Sequence, residues 1–168
     1  VPHCVGVGNG TDAIEIALGA FDLPQGGEVI VPAASFIATS EAVTRSGLNV
    51  VFADIDSESY TMDPDDVARR VTERTVALLP VHLYGHPAAM PQLESIAERH
   101  GLRILEDAAQ AHGAQVVGRR VGSIGSVGTF SFYPGKNLGA LHALACVVLR
   151  HDIGASSAEI CIAVGMVV

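Results

Sequence analysis

Lysine is almost absent from this sequence. Lys and Arg together number 10 in 168 residues, and Lys136 is the single lysine. The arginines are scattered and the formal net charge is −8, so no basic patch supports nucleic-acid binding. An amine loses its proton when partly buried, whereas a guanidinium does not. Lys136 is therefore a candidate amine nucleophile, although a solvated loop lysine would also satisfy this pattern.

Cysteines and long apolar runs are scarce as well. The three cysteines (Cys4, Cys146 and Cys161) are odd in number and far apart, which is typical of reduced cytoplasmic thiols and not of a disulfide framework. No Cys-x-x-Cys pair indicates structural zinc. Every apolar run is shorter than the roughly 18 residues of a membrane span, and no signal peptide is visible. We expect a cytoplasmic protein without metal, membrane or nucleic acid as partners.

The remaining composition predicts one domain with an α/β fold. Hydrophobic residues make up 49% of the chain and charged residues 17%, which allows a sizeable core. Short apolar runs alternate with helical patterns, as in a mainly parallel sheet with helices on both faces. The predicted strands are 4–7, 28–31, 49–54, 76–82, 102–107 and 127–133. The predicted helices are 13–18, 35–46, one starting after Asp63, and 90–100.

A glycine-rich turn precedes the first predicted helix. Asp12 is predicted as the helix N-cap, with Glu15 completing a capping box. A turn of this kind leading into a helix N-terminus is a natural anion site, because free N–H groups face the ligand. Thr11 occupies the third glycine position of a dinucleotide fingerprint, so that motif is excluded. A tight turn without a ligand is the alternative.

Lys136 follows a predicted strand that Pro134-Gly135 ends. Asp107 ends another apolar strand, although it could also cap a following helix. Ligands of parallel sheets bind beyond the carboxyl ends of the strands, so these two residues and the glycine-rich turn are expected at one edge. A lysine, a carboxylate and an anion site together suit pyridoxal 5′-phosphate (PLP), which needs a Schiff-base lysine, an acid opposite its ring nitrogen and a phosphate cup.

Two longer segments carry a family resemblance. Residues 106–114 (EDAAQAHGA) and 128–139 (GTFSFYPGKNLG) resemble the nucleotide-sugar aminotransferases, the DegT/DnrJ/StrS group. Segments 8–13, 31–39 and 80–85 match in the same order, so the resemblance covers about residues 1–141. These are PLP enzymes of the aspartate-aminotransferase fold. The resemblance implies the large domain of PLP-dependent transferase fold type I, with a mainly parallel sheet of about seven strands.

The resemblance implies two catalytic residues. Lys136 would form the Schiff base with PLP and later carry the proton between Cα of the amino donor and C4′ of the cofactor. Asp107 would pair with the pyridinium nitrogen. Some relatives carry histidine in place of this lysine and act as dehydratases, so Lys136 favours transamination.

The resemblance also implies further contacts with the cofactor. Phe36 would stack on the ring, and Gln110 would lie near the ring hydroxyl. The residues implied to bind or flank the phosphate are Gly10, Thr11, Asp12 and Ser131.

The ends of the chain depart from the family pattern. Residues 145–149 are expected to form an antiparallel strand beside the lysine strand, but residues 142–145 lack the family's usual turn. We divide the chain into a partial PLP-binding large domain (1–149) and a non-matching apolar tail (150–168). The family's N-terminal helix and small C-terminal domain are expected to be missing. We interpret the chain as an incomplete product, with a compact natural relative as the alternative.

The predicted function is transfer of an amino group from an amino acid, glutamate by expectation, to a nucleotide-linked keto-sugar. The full-length family implies a homodimer whose partner subunit completes the site. The alternative is a catalytically inactive, truncated PLP-binding fragment.

Two other classes fit poorly. Tyr133 and Lys136 are three positions apart, whereas short-chain dehydrogenases use Tyr-x-x-x-Lys with a cofactor fingerprint. His82 and His86 could share a metal only on a helix, which Gly85 and Pro87 make improbable. We expect loop histidines with satisfied hydrogen bonds.

Overall fold

The computed structural model describes residues 1–140 and 144–149. The strands are β1 (His3–Val7), β2 (Glu28–Pro32), β3 (Asn49–Ala53), β4 (Thr75–Leu78), β5 (Arg103–Asp107), β6 (Gln115–Val116), β7 (Arg119–Arg120), β8 (Val127–Ser131) and β9 (Ala145–Leu149). The α-helices are α1 (Gly10–Ala20), α2 (Ala38–Arg45), α3 (Pro64–Arg70) and α4 (Met90–His100). A short 3-10 turn spans Leu83–Gly85.

Seven strands form one sheet in the order β1-β9-β8-β5-β4-β2-β3. The five adjacent strands β8, β5, β4, β2 and β3 pair in parallel. The strand β9 pairs antiparallel with both β8 and β1. The strand β9 is therefore the reversed one in this sheet. The small hairpin β6–β7 lies apart. The predicted mainly parallel sheet of about seven strands is confirmed, as is the antiparallel strand at 145–149.

Helices cover both faces of the sheet, as predicted. The strand β2 is buried along its whole length, and successive side chains point to opposite faces. Val29 and Val31 pack in the cluster that contains residues of α1 and α2. Ile30 packs in the other cluster, with residues of α3 and α4. The sheet therefore lies between two apolar layers, one on each face.

Several helix and strand ends were predicted correctly. Asp63 caps α3 through its side chain, and Pro64 occupies the first turn. The helix α4 spans the predicted residues and ends at Gly101, whose φ is +66°.

Other elements are shorter than predicted. The helix predicted at 35–46 starts only at Ala38, as α2. The strands predicted at 76–82 and 127–133 end earlier as well, at Leu78 and Ser131.

The N-cap predicted for α1 is wrong. The helix begins at Gly10, and its cap is Asn9, whose side chain accepts a hydrogen bond from the backbone N–H of Asp12. Asp12 is the third residue of the helix, and its carboxylate accepts from Nδ2 of Asn9 at 2.7 Å. Asp12 therefore supports the cap and does not form it.

Two sequence expectations fall outside the described residues. They are the atypical turn, which includes residues 142–143, and the tail at 150–168. Among the helices that are described, none combines the length and the apolar character that a membrane crossing requires.

Candidate active site

A cleft of about 820 Å³ opens at the carboxyl edge of the sheet. Its walls come from the N-terminus of α1, the segment before α2, the end of β5 and the loop after β8. Seven of the eight residues predicted to contact a cofactor line it: Gly10, Thr11, Phe36, Asp107, Gln110, Ser131 and Lys136. Asp12 is not among the lining residues, because its carboxylate is turned to the Asn9 side chain.

The N-terminus of α1 and the end of β8 form one corner of the cleft. The first intrahelical bond runs from the N–H of Ala13 to the carbonyl of Asn9, so the N–H groups of Gly10 and Thr11 have no intrahelical acceptor. A Cβ on Gly10 would lie 3.1 Å from Cβ and 3.3 Å from Oγ of Ser131. The missing side chain thus lets backbone N–H groups and a hydroxyl converge, an arrangement that suits an anion.

Asp107 closes the inner end of the cleft. It is 7% exposed, and each of its carboxylate oxygens accepts one hydrogen bond. Thr39 Oγ1 donates to Oδ2 at 3.1 Å, and the backbone N–H of Ala109 donates to Oδ1 at 3.1 Å. Residues 108–114 contain two turns and no helix, so the alternative role of Asp107 as a helix cap does not apply.

Burial raises the pKa of the Asp107 carboxyl above its ordinary value of 3.8. The hydrogen bonds from Ala109 and Thr39 act in the opposite direction, and so does the charge of Lys136. Desolvation outweighs them because it penalises the charged carboxylate. A raised pKa makes this carboxylate a stronger proton acceptor than an exposed aspartate.

Lys136 lies in the loop that follows β8. Its backbone N–H donates to the carbonyl of Tyr133 at 2.8 Å, which closes a turn through Pro134 and Gly135. The side chain is half-buried and lines the cleft with Asp107, whose pKa its charge lowers. This environment favours a role in the cleft over that of a solvated loop lysine.

Gln110 and Phe36 lie on two other walls. The backbone N–H of Tyr84 donates to Oε1 of Gln110 at 2.8 Å, which leaves the amide nitrogen of Gln110 available to donate. Tyr84 has a φ of +52°, a left-handed conformation that is strained for a residue other than glycine. Phe36 is 65% exposed at the cleft mouth, so its ring is available as a flat apolar surface.

The residues of this region that sequence reasoning missed include Asn9, Thr39 and Tyr84. Asn is as good an N-cap as Asp, so Asn9 could have been considered in place of Asp12. Thr39 follows Ser35 by four positions, and within the predicted helix 35–46 that spacing would have brought the two hydroxyls together. For Tyr84 the sequence carries no signal, because tyrosine rarely adopts a positive φ.

His82 is a loop histidine with satisfied hydrogen bonds, as predicted, and it is also fully buried. Its Nε2 lies 3.0 Å from Oε2 of Glu106, and its Nδ1 accepts from the backbone N–H of Ala88 at 3.0 Å. Because Nδ1 accepts, the ring proton of a neutral His82 is on Nε2 and is donated to Glu106. His86 is exposed.

Comparison with known proteins gives one family. A sequence model described as the DegT/DnrJ/EryC1/StrS aminotransferase family matches residues 1–167. The matched range extends beyond the domain boundary predicted at residue 149, and that boundary stays a prediction. The UDP-N-acetyl-3-dehydro-alpha-D-glucosamine 3-aminotransferase of Acidithiobacillus ferrooxidans is 52% identical over 140 residues, which are 83% of this chain and 38% of that protein.

Solved structures agree with this match. The structure of DesV from S. venezuelae in complex with a ketimine intermediate has a TM-score of 0.87 and 49% identity, covering 91% of this chain and 41% of that one. The structure of NtdA from Bacillus subtilis with bound cofactor PMP has a TM-score of 0.83 and 36% identity, covering 91% and 34%. The chain thus spans well under half the length of these relatives.

Proposed function

Because this chain belongs to the DegT/DnrJ/EryC1/StrS aminotransferase family, we propose that its cleft binds PLP and serves transfer of an amino group to a nucleotide-linked keto-sugar, with glutamate as the donor. The observation that carries the proposal is the convergence of Lys136, Asp107 and the Gly10 turn on one cleft. Bound PLP supplies an electron-withdrawing ring that stabilises a carbanion next to the transferred amino group.

The corner at Gly10 fits the phosphate of the cofactor. Gly10 and Thr11 would donate backbone N–H groups, and Ser131 would donate its hydroxyl. The positive end of the α1 dipole adds to this attraction. Asp12 would act one step away, through Asn9, by holding the helix N-terminus in place.

Asp107 fits the ring nitrogen. Its carboxylate is buried and anchored through both oxygens, and burial raises its pKa. It would accept a hydrogen bond from the protonated nitrogen and hold that proton at the ring. Phe36 would cover one ring face, and Gln110 would donate its amide N–H to the ring hydroxyl.

Lys136 fits the reactive carbon. Its amine would hold the cofactor through a Schiff base and, once displaced by the donor, would move a proton between the donor carbon and the cofactor carbon. Only an amine can perform both tasks, because a guanidinium stays protonated. Lys136 is the single lysine of the sequence, so no other lysine could replace it.

A second subunit is part of the proposal. Three aromatic residues that line the cleft are largely exposed, namely Phe36 at 65%, Tyr84 at 87% and Tyr133 at 60%. Exposed aromatic surface at the rim of a cleft is typical of an interaction site. We propose that a homodimer partner covers these rings. The cytoplasmic location expected from the sequence remains a prediction.

One observation favours a second candidate function. The chain spans 38% of the curated relative from A. ferrooxidans, so it could bind PLP without completing transamination. This inactive PLP-binding form is the alternative to the active enzyme.

A spectrum recorded after adding PLP to the purified chain tests both proposals. Lysine-bound PLP absorbs at roughly 410–430 nm, and we expect this band. Its absence would overturn the proposed cofactor. A band that glutamate fails to bleach, with no amino transfer to a nucleotide-linked keto-sugar, would support the inactive form.

A further inference from the structure

Thr39 connects the cleft wall to the buried Asp107. It lies in the first turn of α2 and is 1% exposed. Its Oγ1 donates to Oδ2 of Asp107 at 3.1 Å and lies 2.9 Å from Oγ of Ser35. Ser35 lines the cleft and is half-buried. Two hydroxyls therefore lead from the cleft surface to the carboxylate.

The direction of these hydrogen bonds depends on the charge of Asp107. Each hydroxyl has one hydrogen to donate. When Asp107 is ionised, Thr39 donates to it, so the Thr39 oxygen accepts from Ser35. When Asp107 is protonated, its O–H can donate to Thr39, and Thr39 can donate to Ser35. The pair thus satisfies both states, but it favours the ionised one because hydrogen bonds to a charged group are stronger.

We propose that Thr39 is a positioning residue for Asp107 and that Ser35 orients the Thr39 hydroxyl. Thr39 holds one carboxylate oxygen while the N–H of Ala109 holds the other. With both oxygens anchored, the carboxylate is held in one orientation at the wall of the cleft. The inference rests on the proposed function in one respect, namely that Asp107 faces the ring nitrogen of bound PLP.

Other groups also act on Asp107. Lys136, from the loop after β8, lowers the pKa of Asp107, whereas burial raises it. His82 lies in the segment after β4. Glu106, the preceding residue of β5, is bonded to His82 and to the backbone N–H groups of Gly122, Ile124 and Gly125. A test of Thr39 must leave all three of these groups in place.

Titration of Asp107 in the cofactor-free full chain separates this role from a structural one. We would follow carboxyl ¹³C shifts against pH in protein labelled at aspartate, with Asp107→Asn to assign the signal. Thr39→Val keeps the shape but removes the hydroxyl, and we expect the Asp107 midpoint to rise by about one pH unit. Ser35→Ala should raise the Asp107 midpoint by less. Thr39→Ser keeps the hydroxyl and should have the midpoint of the original chain.

A midpoint that does not move in Thr39→Val would overturn the inference, even if the variant were less stable. If Thr39→Val does not fold, Ser35→Ala decides, because Ser35 is half-buried and its loss leaves the Thr39 methyl in place. An unchanged midpoint in Ser35→Ala would then overturn it.

PLP binding distinguishes this inference from the proposed function. We expect Thr39→Val to bind PLP about tenfold more weakly than the original chain. The affinity of Thr39→Ser should be close to that of the original chain. A shifted midpoint in a chain that binds no PLP would uphold the positioning role and refute the proposed cofactor. An unshifted midpoint in a chain that binds PLP would refute the positioning role and uphold the proposed cofactor.

Discussion

Gly10 and Ser131 lie so close together that a single methyl group would fill the space between them. A Cβ built on Gly10 would be 3.1 Å from the Ser131 Cβ, tighter than ordinary van der Waals contact. Gly10 begins α1 and Ser131 ends β8. The two residues come from distant parts of the chain, and their contact brings the helix N-terminus to the edge of the sheet.

Gly10→Ala should therefore weaken PLP binding without unfolding the chain. The added methyl would push Ser131 and the α1 N-terminus apart by a few tenths of an ångström, so the N–H groups and the hydroxyl would no longer converge on one phosphate. We expect a loss of about tenfold in PLP affinity, or about 1.4 kcal/mol, measured by fluorescence titration.

Gly19→Ala is the matched control in the same helix. A Cβ at Gly19 meets nothing within 4 Å, and alanine stabilises a helix interior by about 1 kcal/mol relative to glycine. This variant should have a slightly higher melting temperature and should bind PLP with the affinity of the original chain. Equal affinities in both variants would contradict the proposed phosphate corner.

Glu106→Gln should destabilise the chain by about 3 kcal/mol. One carboxylate oxygen accepts from the backbone N–H groups of Ile124 and Gly125. The other accepts from the backbone N–H of Gly122 and from Nε2 of the His82 ring. An amide has one oxygen, so its NH₂ group would face backbone donors in either orientation. Urea unfolding measures the loss.

Glu94→Gln is the control for charge removal. Glu94 forms a two-point ion pair with Arg119 at the surface, where such pairs contribute about 1 kcal/mol or less. If both variants lost equally little stability, the buried Glu106 carboxylate would not hold the loop before β8 as we describe.

Asp66→Asn should remove part of the acid sensitivity of the fold. The backbone N–H of Asp54 and then the side chain of Arg70 are the main causes that lower the pKa of Asp66 from 3.8 to about 2. Since the folded value is below the unfolded one, its stabilisation is present above pH 3.8 and disappears as the pH falls towards 2. The stability gap between the original chain and Asp66→Asn should therefore close over this range.

Asp65→Asn controls for the helix dipole, because Asp65 also lies in the first turn of α3 but is exposed. Unfolding free energies at pH 7, 4 and 2.5 provide the comparison. A gap for Asp66→Asn that stayed constant with pH would contradict this account.

Sequence reasoning succeeded where local chemistry decides the structure. The period and the glycine stop of α4 predicted Met90–His100 and Gly101, and the apolar run of β2 predicted a buried strand. Alternation of strands with helices predicted the parallel sheet and the edge at which Asp107 and Lys136 both line the cleft. These features depend on residues close together in the chain.

The sequence could not decide contacts between distant residues or competing local signals. Asn9 and Asp12 are both good N-caps, and the backbone selected Asn9. Thr39 and Asp107 are 68 positions apart, so only the packing of α2 on the sheet brings them together. The left-handed turn at Tyr84 is imposed by its surroundings against the preference of tyrosine.

The most direct test of the proposed function is the chemical trapping of PLP on Lys136. The purified chain would be incubated with PLP, reduced with borohydride, digested and analysed by mass spectrometry, with Lys136→Arg treated in parallel. We predict a stable cofactor label on the peptide that contains Lys136 and no label in the variant, since arginine keeps the charge but offers no amine. A label on the N-terminal amine alone, or equal labelling of the variant, would contradict the proposal.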